Sequence, residues 1–124
     1  MDKSQAIHNF WSGFGLTAYD QFAVPEDAKM PYITYSVSTG AIDNILSVTG
    51  SLWYRSTSWR EISQKADEIA AEVGGWSERR IYKIDNGYMF INQGSPFAQR
   101  MSDPADDMIR RIYINLSVEF LTPD

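Results

Sequence analysis

Apolar residues fall at helical spacing in two stretches of this sequence and alternate with polar ones in five others. The stretch from Ser47 to Gly74 holds one of each. In its first half, SVTGSLWYR, alternation puts Leu46, Val48, Leu52 and Tyr54 on one face of a strand. In its second half, Trp59, Ile62, Ala66, Ile69, Ala70 and Val73 form one stripe of a helix. Ser58 and Glu61 have the spacing of a capping box at its start, and Gly74-Gly75 supplies its stop. A strand feeding a capped amphipathic helix predicts a sheet with that helix on one face.

The same patterning extends outward. Ile7, Phe10, Trp11 and Phe14 predict a short helix over residues 3–14. Thr17 to Pro31 reads as a connector broken by Pro25 and Pro31, followed by a strand over 32–37. Arg80–Ile84 and Gly87–Gln93 form a hairpin around Asp85-Asn86-Gly87. Gly94 to Asp107 carries Pro96 and Pro104, shows little periodicity and reads as a long loop of the functional kind. Arg110–Leu121 alternates most cleanly, with Ile112, Ile114, Leu116, Val118 and Phe120 facing one way. The expected fold class is α+β. One mixed, mostly antiparallel sheet carries an N-terminal helix and a central helix packed on it.

Composition narrows this further. A chain of 124 residues suits one domain, 1–124, with a core of its own. Without cysteine there is no disulfide or thiolate metal site. No apolar run approaches a membrane span, and the first residues lack the layout of a signal peptide. A formal charge of −5 with no basic block argues against a protein built to grip phosphates. The 14% aromatic content is high, which implies either an aromatic core or rings on a surface made to be covered.

Candidate chemistry is sparse. His8 is the only histidine and has no partner cluster in sequence, so it reads as a surface residue. Asp103, Asp106 and Asp107 lack the ligand alternation of a calcium loop and read as solvated loop charge. Glu61, Asp67, Glu68 and Glu72 lie on the polar side of the central helix, where Glu61 and Lys65 have i,i+4 spacing. Neither a catalytic, a cofactor nor a metal site is expected. The arginines are more telling. Arg79, Arg80, Arg100, Arg110 and Arg111 flank the hairpin and the long loop, which also carries Phe97 and Met101. Arginine, methionine and aromatic rings are enriched where proteins meet. These residues, with Trp76 after the central helix, are the expected contacts with a subunit or partner.

The runs PYITYSV (31–37), VTGSLWYR (48–55) and Trp59–Gly74 resemble the tail terminator, or tail completion, proteins of tailed bacteriophages. So does the ending GSPFAQRMSDPADDMIRRIYINLSVEFL. The resemblance spans about Phe10 to Leu121 and rests on element order and local phrasing rather than one motif. It implies a small α+β virion protein, not an enzyme and without cofactor, that closes into a homo-oligomeric ring, typically a hexamer. Such a ring caps the tail tube protein, meets the head completion or connector protein, and lets DNA pass through its lumen without specific binding. It is assembled in the host cytoplasm and touches no membrane. A head–tail connector or stopper subunit of the neck, and a small ligand-binding or hydrolase domain, are the alternatives.

Overall fold

The computed structural model describes residues 1–38, 45–74 and 80–121. Periodicity resolves into two helices, α1 (Lys3–Ser12) and α2 (Arg60–Val73), and six strands. The strands are β1 (Thr17–Asp20), β2 (Tyr32–Ser38), β3 (Ile45–Arg55), β4 (Arg80–Ile84), β5 (Gly87–Ser102) and β6 (Ile109–Leu121). They form one mixed sheet in the order β1-β2-β3-β6-β5-β4. β1 runs parallel to β2, and every other neighbouring pair is antiparallel. The class is α+β.

Alternation dictates one dry face. Ile33, Val48, Leu52, Met89, Ile91, Ile112, Ile114, Leu116, Val118 and Phe120 are all buried. They share one cluster with Ile7, Phe10 and Trp11 of α1 and Ile62, Ala66, Ile69 and Val73 of α2. Trp11 is fully buried over Gly50, where a Cβ would lie 2.5 Å from the indole. Phe10 meets Trp11, Phe14 and Tyr82 edge to face. Lys65 ties α2 to the turn after α1, donating to the Phe14 carbonyl (2.7 Å), and pairs with Glu68 of its own helix (3.0 Å). The expected Glu61–Lys65 pair gives way to these contacts, because the Phe14 carbonyl lies within reach of the ammonium.

Three further expectations are corrected. The connector over 17–31 opens with β1, whose four residues bury only Ala18 and are held by pairing with β2. A strand this short leaves no alternation to read. The capping box at Ser58–Glu61 does not form. Trp59 is the N-cap of α2 without a side-chain cap, and Ser58 Oγ accepts from Arg60 N–H instead. A capping box does form on α1, where Asp2 and Gln5 exchange side-chain and backbone bonds.

The third correction concerns the long loop. Residues 94–102 continue β5, paired to β6 from Ala98↔Ile114 to Ser102↔Arg110. Between Gln93 and Ala98 the register slips: four residues of β5, 94–97, pass the single Asn115 of β6. This bulge contains Gly94, pressed against Asn115, and the cis Ser95–Pro96 bond. Asn115 Nδ2 donates to the Pro96 carbonyl (3.0 Å). Gly and Pro hide the strand in the sequence because both are common at bulges and rare within ladders.

Candidate functional site

Residues between the buried positions of a strand must point the other way. On this outer face stand Tyr32, Thr34 and Ser36 of β2, Thr49, Ser51 and Trp53 of β3, and Arg111, Tyr113 and Asn115 of β6. A conventional wet face would be short and polar, but this one carries rings. Tyr19 meets Tyr32 edge to face at 5.7 Å, and Tyr32 lies 6.4 Å from Trp53. The Arg111 guanidinium sits 4.6 Å from the Trp53 ring and 5.8 Å from that of Tyr113.

Hydrogen bonds fix this layer. Trp53 Nε1 donates to Thr34 Oγ1 (2.8 Å), Arg111 Nε donates to Ser51 Oγ (3.0 Å), and the Ser36 and Thr49 hydroxyls lie 2.6 Å apart. Thr34 and Ser51 are buried although they point away from the helices. Beside the stack, Trp53, Arg111, Ser102, Asp103 and Pro104 line a cleft of about 180 Å³. Rings and a guanidinium arranged in this way are able to stack and to make charge-assisted hydrogen bonds.

The expected contact residues divide into groups. Trp76 and Arg79 lie outside the described residues. Arg111 and Met101 are cross-strand partners on the outer face, and Met101 is exposed. Arg100 and Arg110 lie on the inner side, 4.9 and 5.3 Å from the Trp59 ring at the start of α2. Arg110 is further held by the Thr57 carbonyl (3.2 Å) and the Asp107 carbonyl. Arg80 stands on the far edge strand and donates to the Glu72 carbonyl. Phe97 is partly buried and packs on the core.

The acids of the 103–108 turn serve the turn itself. Asp103 accepts from Ala105 N–H (2.8 Å), and Asp106 accepts from Met108 N–H (2.9 Å) and Arg55 (2.6 Å). The Met108 amide and the Arg55 guanidinium hold the Asp106 carboxyl below its usual range. His8 lies 2.9 Å from the Tyr35 hydroxyl and 3.3 Å from Ser12 Oγ. Burial, then the Asp20 charge, raises the Tyr35 phenol. Among the described residues, no group of three or more acidic or histidine side chains is placed to hold a metal ion. Among the same residues, no helix is long and apolar enough to cross a membrane.

Sequence reasoning missed the outer layer of Tyr19, Tyr32, Trp53 and Tyr113. Its signal was present at Tyr32, Trp53 and Tyr113, aromatic residues at positions that alternation assigns to solvent, and absent at Tyr19, whose strand is too short to read. Large apolar side chains at solvent-facing positions likewise mark Ile81, Tyr88 and Leu121 at the other end of the sheet, all exposed. Comparison with protein-family models, with curated proteins and with solved structures returned no match.

Proposed function

We propose that this chain is a tail terminator subunit of a tailed bacteriophage. In this reading it is a non-enzymatic virion protein, without cofactor, that closes into a homo-oligomeric ring, a hexamer in the resembled family. The ring caps the tail tube and meets the head connector. The reading rests on the sequence resemblance. The structural observation that supports it best is an open strand edge.

β4 covers β5 only over Gly87–Ile91, and Ala98–Ser102 is paired to β6 on one side alone among the described residues. All five of those residues are exposed, and they include Arg100 and Met101. An unpaired edge of this kind is a template for a neighbouring chain. Both helices laid against one face of the sheet leave the opposite face, with its Trp53–Arg111 stack, for neighbours. Ring closure needs a head-to-tail contact between unlike surfaces, which an edge and a face of one sheet provide. A net charge of −5 suits a lumen through which DNA slides without sticking.

The test is tube capping. Added to its cognate tube protein during polymerisation, the chain is expected to shorten the tubes and to appear by electron microscopy as a ring on one end. Met101→Glu, on an exposed site, is expected to weaken that capping. Tubes that grow to full length with undecorated ends would overturn the reading.

A further inference from the structure

The fold positions the Arg111 guanidinium without neutralising it. Its Nε donates to Ser51 Oγ (3.0 Å), and Ser51 is itself buried. Trp53, its cross-strand partner, and Tyr113 hold it further, with ring centres at 4.6 and 5.8 Å. No carboxylate among the described residues pairs with it. Among the same residues, Nη1 and Nη2 have no acceptor. Arg55 and Arg110, by contrast, engage terminal nitrogens with Asp106 and with the carbonyls of Thr57 and Asp107.

Arg111 lines the cleft of about 180 Å³ with Trp53, Ser102, Asp103 and Pro104. Trp53 and Pro104 give it apolar walls, and Ser102 adds a hydroxyl. Asp103 is its acid, and one oxygen of that carboxylate accepts from Ala105 N–H (2.8 Å). A void of about 150 Å³ holds benzene. This cleft therefore has room for an anionic group on a small apolar body and none for a nucleotide.

We propose that this cleft binds a carboxylate, its oxygens on the terminal nitrogens of Arg111 and its apolar body against Trp53 and Pro104. A guanidinium whose Nε is already taken offers its two remaining nitrogens side by side, which suits a planar two-oxygen acceptor. Charge selects further. The lining holds one cation and one acid, so a second negative charge on the ligand would face Asp103 with nothing to balance it. A monoanion is accordingly favoured over sulfate or phosphate. The Ser51 bond and the Trp53 stack hold the guanidinium ready, which lowers the ordering cost of binding. Such a carboxylate belongs to a free aromatic acid or to an acidic side chain of another protein, and the recognition chemistry is the same. Binding of this kind is separate from the ring reading.

Nuclear magnetic resonance of the full chain tests it, following the Trp53 indole N–H and the Arg111 Nε–H. The probes are benzoate, acetate, N-acetylglutamate α-amide and sulfate, each exchanged for chloride at constant ionic strength. Benzoate is expected to shift both signals saturably and to bind about fivefold tighter than acetate, which has little apolar body. Sulfate is expected to bind more weakly than benzoate. Arg111→Lys keeps the charge but loses the fork and the stack, so benzoate should bind about tenfold more weakly. Asp103→Asn removes the like charge and should tighten benzoate about twofold and sulfate by more. Unchanged melting temperatures verify the folds, and the Asp103 variant alters no contact of Arg111 with Ser51 or Trp53.

Tighter binding of the glutamate amide than of benzoate would support the site and assign it to an acidic side chain. The reverse order would support it and assign it to a free aromatic acid. Shifts that stay linear in concentration for every carboxylate would overturn the site. So would benzoate binding that Arg111→Lys leaves undiminished. Sulfate binding wild type more tightly than benzoate, or an Asp103→Asn variant that changes neither, would overturn the preference for a monoanion. Tube capping decides the ring reading separately from all of these.

Discussion

At Gly50 an absent side chain sets how closely α1 approaches the sheet. The Trp11 indole occupies the space a methyl group would need, and neither the central strand nor a fully buried ring has room to retreat. Gly50→Ala is therefore expected to destabilise the fold by about 1–3 kcal/mol, measured as a lower denaturant midpoint at unchanged slope. A second residue-scale prediction concerns Tyr82. Burial, then the hydrogen bond to Glu72 (2.9 Å), pushes its phenol well above the usual 10.0. The stability linked to this shift is complete below pH 10.0 and is lost as pH rises through the higher folded value. In Glu72→Gln the phenol should titrate closer to its usual value, as read by ultraviolet difference spectra. It should return only part of the way, because burial remains. Neither pairing was legible in the sequence. Trp11 and Tyr82 lie on elements that periodicity identifies, but the atoms they meet belong to other elements, Gly50 of β3 and Glu72 of α2.

Strands and helices with several turns of pattern were legible, and their ends were not. Both helices and five of the six strands among the described residues, β5 only as far as Gln93, follow directly from the spacing of Ile, Leu, Val and aromatic residues. The capping signals misled because S-x-x-E at Ser58–Glu61 is spacing alone, and Trp59, stacked between arginines, takes the cap position instead. The working capping box is the one at Asp2–Gln5. Asp2→Ala should accordingly cost about 1 kcal/mol in thermal or denaturant unfolding. Glu61→Ala should cost only the few tenths of a kcal/mol that a first-turn carboxylate contributes. β1 and the far half of β5 escaped for a different reason. The first is too short for alternation, and the second begins after a bulge that resets alternation halfway along the strand.

At the scale of the molecule, the helical stripes and the inner sheet face join one cluster, so they should melt together. Far-ultraviolet circular dichroism and tryptophan fluorescence are expected to give coincident unfolding curves, and separated midpoints would mean that α1 or the sheet edge unfolds on its own. Partner surfaces were only partly legible at this scale, because a sequence shows which residues are apolar but not which edge they end up on. Arg111 and Met101 stand out in the sequence by type, whereas the exposure of Phe22 and Ile81 shows only in the folded chain.

The slip in β5 carries a consequence for the evolution of the arm that follows it, Ala98–Ser102. Before it, odd-numbered residues such as Met89 and Ile91 face the core; after it, even-numbered Ala98, Arg100 and Ser102 do. The slipped residues thus act as a frame change for side chains. Deleting one of them would carry Met101 to the place opposite Ile112 and bring Gln99 opposite Ile114. It would also strip Arg100 from Trp59 and turn it to the outer face, opposite Tyr113. Insertions and deletions of single residues should therefore be selected against in this short stretch, while paired ones keep the arm's two faces intact.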